Sequence, residues 1–174
     1  MPVMPTTQPW RPPFPGAGVL SHVGCRLIQP VLDRIVRNVA RKHPALFARL
    51  GEHQRTAYLI DPVELPFALL LRPDPQNLSL RAVPRDATPE AGAIVRGKFL
   101  LLLKLIDAGE DGDSAFFSRD LDISGNTEAV VRLRNALDDL DGSIAGDCAD
   151  MFGAPGRMIL GQLRKTYGGA HARG

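Results

Sequence analysis

The sequence contains few of the residues from which disulfide frameworks, metal centres and common catalytic motifs are built. Its 174 residues include only two cysteines, Cys25 and Cys148, and four histidines. Two cysteines cannot form a zinc site alone, and their separation excludes a C-x-x-C redox motif. The patterns G-x-S-x-G, H-E-x-x-H and G-x-x-x-x-G-K-S/T are also absent. We therefore expect reduced, buried thiols, no metal and no cofactor, and we find no support for an enzyme.

The chain also lacks an apolar run long enough to cross a bilayer. A spanning helix needs roughly 20 apolar residues, whereas the stretch GKFLLLLKLIDAG at 97–109 is interrupted by Lys104 and ends in polar residues. On a helix, its apolar side chains point in nearly every direction. Such a helix must be buried on several sides or line an internal apolar cavity. We expect a soluble, cytoplasmic protein.

Positive charge is concentrated at the front of the chain. Residues 1–60 contain eight Lys or Arg but only Asp33 and Glu52, whereas residues 61–174 contain 13 basic and 17 acidic residues. Apolar residues at helical spacing from Leu20 to Val39 accompany this charge. The basic side chains that lie mostly off this stripe, and that we predict to face a membrane, are Arg34, Arg37, Arg41 and Lys42. The segment is typical of a surface that binds anionic lipid, although a solvated basic helix has the same pattern.

Short apolar runs between turn residues predict a small sheet in the middle of the chain. The runs AYLID, FALLLR, LSLRAV and AIVRG are each about one strand long. The stretch FFSRDLDIS at 116–124 alternates apolar and polar residues, which predicts a further strand with one apolar and one wet face. Helical patterns precede, separate and follow these runs. We predict an α+β fold in which helices pack on the apolar face of the sheet.

The same patterns divide the chain into four parts. Residues 1–18 are rich in proline, carry no apolar core like that of a secretory signal, and are predicted to form a flexible tail. Basic amphipathic helices are expected at 19–54, a single domain at 55–168, and a second flexible tail at 169–174.

Arg119 stands out because alternation along FFSRDLDIS places it on the apolar side of that strand. A buried guanidinium needs an anion. One interpretation puts Arg119 at the rim of the sheet, with its head in water or on an internal carboxylate. The other is that it holds the polar head of a lipid whose tail runs along the same face.

The order of FALLLR, LSLRAV, AIVRG, an oily helix and FFSRDLDISGNTEAVVRLRNALDDLD resembles the sterol carrier protein 2 family of lipid-binding domains over about residues 55–165. The resemblance implies a five-stranded sheet covered on one face by helices around an apolar tunnel. With its added N-terminal helices, the chain is also similar to bacterial accessory factors of oxygen-independent ubiquinone biosynthesis. This likeness implies a non-catalytic protein that binds prenylated quinone precursors or phospholipid beside hydroxylase partners, with no role for nucleic acid.

On this basis we predict a lipid site on the oily helix, on the strands that face it and on the last helix. Its residues are Leu69, Leu71, Phe99, Leu102, Leu103, Ile106, Phe117, Arg119, Leu121, Ile123 and Met158. The N-terminal helices would dock on an anionic inner-membrane surface, form a homodimer or cap the tunnel. Two other functions stay open: an enzyme acting on an acyl or prenyl chain through residues such as His43, His53 or Ser118, and a general lipid carrier or interaction subunit.

Overall fold

The computed structural model describes residues 17–87, 89–106, 119–140 and 143–168. The first helices are α1 (Ala17–Lys42), α2 (Pro44–Arg49) and a 3-10 helix (Gly51–Arg55). The strands are β1 (Tyr58–Pro62), β2 (Phe67–Arg72), β3 (Ser79–Pro84), β4 (Ala93–Gly97) and β5 (Asp122–Gly125). The later helices are α3 (Phe99–Ile106), α4 (Thr127–Asp138), α5 (Ile144–Asp150) and α6 (Gly153–Gly168). The predicted α+β fold with a five-stranded sheet and helices is confirmed.

The sheet is mixed, with the strand order β3-β2-β1-β4-β5. Strand β1 pairs antiparallel with β2 and parallel with β4, and the outer pairs β2–β3 and β4–β5 are antiparallel. The connection from β3 to β4 must therefore pass from one edge of the sheet across β2 and β1.

Helices α3 and α4 cover one face of the sheet, which we call the helical face. Its centre contains Tyr58, Ala93 and Val95, packed against Leu102 of α3 and Val130 of α4. Because side chains alternate along a strand, residues two apart from these share the same face. Burial of these apolar side chains is the main force that holds the helices on the sheet.

The opposite face is partly apolar, contrary to the expectation of a uniformly wet face. Leu59, Ala68 and Leu70 are buried there, and Ala91 of the crossing connection packs against them. At β5 this face is wet as predicted, because Asp122 and Ser124 are exposed there. The face is therefore packed where Ala91 of the β3–β4 connection contacts it and open at its β5 edge.

Helix α1 runs along the outer edge of β3 and protects it. The side chain of Gln29 pairs with the edge as a neighbouring strand would: its Nε2 donates to Leu80 O at 3.0 Å, and Ala82 N donates to its Oε1 at 3.0 Å. An open strand edge is a template for pairing with another chain. Pro30 lies inside this helix, which continues on both sides of it.

We expect Gln29→Leu to expose this edge. The substitution keeps the size of the side chain but leaves one N–H and one C=O of β3 without their partners, and it should lower the free energy of unfolding by about 1–3 kcal/mol. Self-association through β3 should follow. Urea unfolding and light scattering across a concentration series would measure both effects. Gln76→Leu, at an exposed loop position, is the control, and equal behaviour of the two variants would contradict the protective role.

The predicted strand 116–124 is shorter where the structure describes it. Strand β5 begins at Asp122, whereas Arg119 and Asp120 form a turn. Alternation along a strand therefore does not apply to Arg119, whose side chain is exposed. Helix α5 was not expected. Its signal is short: Ser143 caps it by accepting a hydrogen bond from Gly146 N at 2.9 Å.

Candidate functional site

A strip of half-buried apolar side chains lies on the helical face, between the part covered by α3 and α4 and the edge protected by α1. The strand registers place its members on one face: Tyr58 is opposite Leu71, Ile60 is opposite Leu69, and β2 continues this pairing onto β3. We call this set the apolar strip, and it consists of Ile60, Leu69, Leu71, Leu80 and Ala82.

The apolar strip continues the core of the domain. Ile60 and Leu71 pack against the buried cluster around Tyr58 and Val95, whereas Leu80 and Ala82 lie on the edge strand β3. Each side chain is only half-buried in the described residues. An apolar ligand that covers this accessible area would gain roughly 25 cal/mol of binding free energy per Å² of apolar surface removed from water.

A basic groove of about 480 Å³ lies between α1 and the residue that precedes β3. Val36, Ala40 and Leu78 provide its apolar wall. Its guanidinium groups come from one side of α1, from Arg34, Arg37 and Arg41. Leu78 immediately precedes β3, two positions from Leu80 of the strip, and packs against the cluster that contains Val39 and Leu46. An anionic group in this groove would thus have an apolar surface directly beside it.

The outward side of α1 changes in character along its length. Val19, Val23 and Leu27 are exposed by 77%, 50% and 74%, four residues apart. At about 100° per residue, they fall within the same ~80° arc as Arg34, Arg37 and Arg41. The exposed side of α1 is therefore apolar in its first half and cationic in its second half.

Four of the predicted lipid-site residues come together at the core of the helical face. Leu102 is buried in the central cluster, and Leu71, Leu121 and Ile123 pack against it. Leu69 lies on the adjacent apolar strip. Sequence reasoning missed Ile60, Leu80 and Ala82, because only the antiparallel register of β1, β2 and β3 shows that they share this face.

The other predicted lipid-site residues lie apart from this group. Leu103 packs with Ala145, Ala149 and Leu160 of α5 and α6, and Ile106 packs with the helices α1, α2 and α4. The more exposed residues are Phe99 at the start of α3, Met158 on α6 and Arg119 in its turn. Phe117 lies outside the described residues. The all-round apolarity of α3 is thus used to contact three different groups of neighbours.

Lys42 differs from the three arginines with which it was grouped. Its Nζ donates to Asp147 Oδ1 at 2.6 Å, and His43 Nε2 lies 2.6 Å from Asp147 Oδ2. The pKa of Asp147 is lowered, mainly by the hydrogen bond from Lys42. These contacts join the end of α1 to α5.

The candidate catalytic residues do not form an activated nucleophile where the structure describes them. His43 is paired with Asp147, and Ser118 lies outside the described residues. Burial raises the pKa of Cys148 to about 11, and burial and Asp86 raise the pKa of Cys25. Both thiols are free and protonated at neutral pH, which makes them weak nucleophiles. These contacts give the enzyme hypothesis no support.

A buried ion pair supports the opposite face of the sheet. Asp61 and Arg85 are essentially inaccessible, at 0% and 2%, and their charged atoms are 2.7 Å apart. Arg85 also donates to Pro62 O at 2.6 Å and to Leu65 O at 3.0 Å. The pair ties the end of β1 to the end of β3, and sequence reasoning did not identify it.

Comparison with known proteins gives a family match. A family model described as the SCP-2 sterol transfer family matches residues 33–138, from within α1 to the end of α4. No curated protein matches the chain significantly. Within the described residues, no helix is both long and apolar enough to cross a membrane.

Two solved structures are similar at low sequence identity. One, named UbiJ-SCP2 Ubiquinone synthesis protein, is 15% identical, with coverage of 72% of this chain and 93% of that chain and a TM-score of 0.47. The other is the sterol carrier protein domain 2 of Helicoverpa armigera, 10% identical, with coverage of 67% and 91% and a TM-score of 0.44.

Proposed function

The chain belongs to the SCP-2 sterol transfer family, and on that premise we propose that it is a non-catalytic lipid-binding accessory protein that holds prenylated quinone precursors during oxygen-independent ubiquinone biosynthesis. The observation that carries the lipid-binding part is the half-buried apolar strip beside the packed core of the helical face. The quinone part is supported by the sequence resemblance to the bacterial accessory factors called UbiT, through the strand-helix order and the added N-terminal helices.

In this proposal the lipid lies with its tail along the apolar strip. Leu69 and Leu71 of β2, together with Leu80 of β3, would contact the tail, and α3 would flank it. The polar end would point toward the basic groove between α1 and the start of β3. No proton transfer or covalent step is required, so the protein would present the ring to partner proteins that hydroxylate it without oxygen.

The energetics of such a function depend on the match between two apolar environments. A prenyl tail gains about 0.8 kcal/mol per buried CH₂-sized group, in the protein as in a bilayer. Transfer between them is then nearly neutral in free energy if the strip and its flanking helices cover the tail as well as the bilayer does. The shape of this surface would select the lipid, and removing part of it would return the lipid to the membrane.

Lipid retention provides the direct test of this function. We expect protein purified from a bacterial host to yield a prenylated quinone precursor or another lipid on solvent extraction and mass spectrometry. Leu69→Gln and Leu80→Gln should each weaken binding about tenfold, because each removes roughly two CH₂ equivalents of contact, or about 1.6 kcal/mol. Fluorescence competition with a prenyl lipid would measure the change.

The control for this experiment is Val131→Gln. Val131 is 38% exposed on α4 and is not a member of the strip, so its substitution introduces the same polar side chain outside the proposed site. Extracts that contain no lipid in repeated preparations, or strip variants that bind as the control does, would contradict the proposal. A phospholipid in place of a quinone precursor would retain lipid binding and exclude the quinone role.

The exposed side of α1 is proposed to load this site at a membrane. Its apolar half can enter the interface while its arginines bind lipid phosphates. We expect binding to vesicles that contain anionic lipid, and this binding should weaken as salt rises. Replacing Arg34, Arg37 and Arg41 together with Gln should cost about 1 kcal/mol per arginine, as measured by vesicle sedimentation.

A control variant makes the same change in net charge at other positions on the surface. Arg72, Arg81 and Arg132 are exposed on β2, β3 and α4, and replacing them with Gln should leave vesicle binding nearly intact. If both triple variants lose binding equally, net charge alone attracts the protein. If neither loses it, the basic side of α1 is only a solvated surface.

A further inference from the structure

Three side chains with oxygen or nitrogen ligands meet where the 3-10 helix approaches the start of α4. Glu52 and His53 come from the 3-10 helix, and Glu128 comes from the first turn of α4. One ligand atom from each residue lies within 4.8 Å of the others. The two carboxylates are exposed, whereas His53 is only 8% exposed. A buried imidazole is thus placed beneath two movable carboxylates.

Nε2 of the His53 imidazole faces Glu128 in this cluster. Its Nε2 is buried and has no hydrogen-bond partner among the described residues. The nearest carboxylate oxygen, Oε1 of Glu128, is 3.8 Å away, which is too long for a hydrogen bond. An unpaired buried nitrogen is costly, so a group that binds both of these atoms would be favourable here.

The spacing suits two ligands of one metal ion. Zn²⁺ binds imidazole nitrogen and carboxylate oxygen at about 2.0–2.2 Å, so two ligands at a tetrahedral angle are roughly 3.4 Å apart. Closing the gap between His53 and Glu128 therefore needs a shift of less than about 1 Å. Glu52 and Glu128 have long exposed side chains that can make this adjustment. The backbone of His53 is held by hydrogen bonds from His53 N to Leu50 O and from Thr56 N to His53 O.

Charge and ligand type also favour a divalent transition-metal ion. Two carboxylates and a neutral imidazole carry a charge of about −2, and this combination suits zinc, cobalt or manganese better than calcium or magnesium, which prefer oxygen alone. The positive end of the α4 dipole opposes a cation here. That opposition is worth only about 0.3–1 kcal/mol at an exposed helix end, which is small beside three charged or dipolar ligands.

We propose that Glu52, His53 and Glu128 bind a divalent transition-metal ion such as Zn²⁺, with water completing its coordination. The ion would join the segment that follows the N-terminal helices to α4, one of the two helices that cover the sheet. Tyr58 already lies at this junction, with its hydroxyl 3.3 Å from Ala129 O. The metal would therefore stabilise the junction, and it is independent of the lipid function proposed above.

The test uses the full chain without a histidine tag, stripped of metal by EDTA. Calorimetric titration with Zn²⁺ should show one site, and Co²⁺ should give the visible absorption of an imidazole-bound ion. Zn²⁺ should also raise the melting temperature. We expect Glu128→Gln and Glu52→Gln each to weaken Zn²⁺ binding at least tenfold and to reduce the thermal shift. Because both residues are exposed, these variants should fold.

Two controls separate this site from casual metal binding. His22→Gln and Glu90→Gln change exposed residues outside the cluster and should leave Zn²⁺ binding unchanged. Binding that is equal in wild type and Glu128→Gln, or no binding at millimolar Zn²⁺, would overturn the proposal. If lowering the pH raises the melting temperature and Zn²⁺ does not, the result would show instead that protonated His53 pairs directly with Glu128.

Discussion

Replacing Arg85 with Met is expected to lower the free energy of unfolding by about 3–5 kcal/mol, because it breaks a buried ion pair and leaves a buried charge. Asp61 would lose the guanidinium 2.7 Å from its carboxylate. Arg96 Nε would remain at 3.5 Å, but that side chain is 39% exposed and lies farther away. The carbonyls of Pro62 and Leu65 would also lose the donors that Arg85 supplies.

Urea unfolding followed by circular dichroism would measure this loss. Arg81→Met is the matched control, since Arg81 is exposed on β3 and its replacement should change stability by no more than about 0.5 kcal/mol. The double variant Asp61→Leu/Arg85→Met should recover much of the lost stability, because it removes both charges. An Arg85→Met protein as stable as the control would mean that the pair contributes little.

The second large effect is expected at Gly125, the last residue of β5. Its φ of +79° is a conformation that residues with a Cβ rarely adopt. A Cβ there would lie 2.5 Å from Gly92 O, the same oxygen that accepts a hydrogen bond from Asn126 N at 2.8 Å. Gly125→Ala should therefore cost about 3 kcal/mol or more, from backbone strain and from displacement of this contact.

Gly161→Ala is expected to have the opposite effect and to raise the stability of the protein. Gly161 lies inside α6, and nothing within 4 Å would meet an added Cβ. Alanine should stabilise the helix by roughly 0.5–1 kcal/mol, because it restricts the unfolded chain and favours helical backbone. Thermal melting of both variants would test the pair, and a neutral Gly125→Ala would show that β5 can shift away from Gly92.

The sequence by itself determined the elements whose signals are local. The runs FALLLR and AIVRG coincide with β2 and β4, and the helix at 99–106 was expected from its apolar residues and length. Amphipathic spacing also indicated α1, and the order of elements was enough to recognise the family. These features depend on periodicity and turn residues within a few positions along the chain, so no tertiary information was needed.

Only the tertiary structure decided which residues meet. Gln29 protects the edge of β3, Asp61 pairs with Arg85, and His53 approaches Glu128, although each contact joins residues that are 24 to 75 positions apart along the chain. The apolar strip likewise exists only through the register of three strands. Arg119 shows the limit of local pattern: alternation assigned it to the apolar face, but the chain turns at that point. Contacts of this kind depend on how distant segments pack, and periodicity carries no information about that packing.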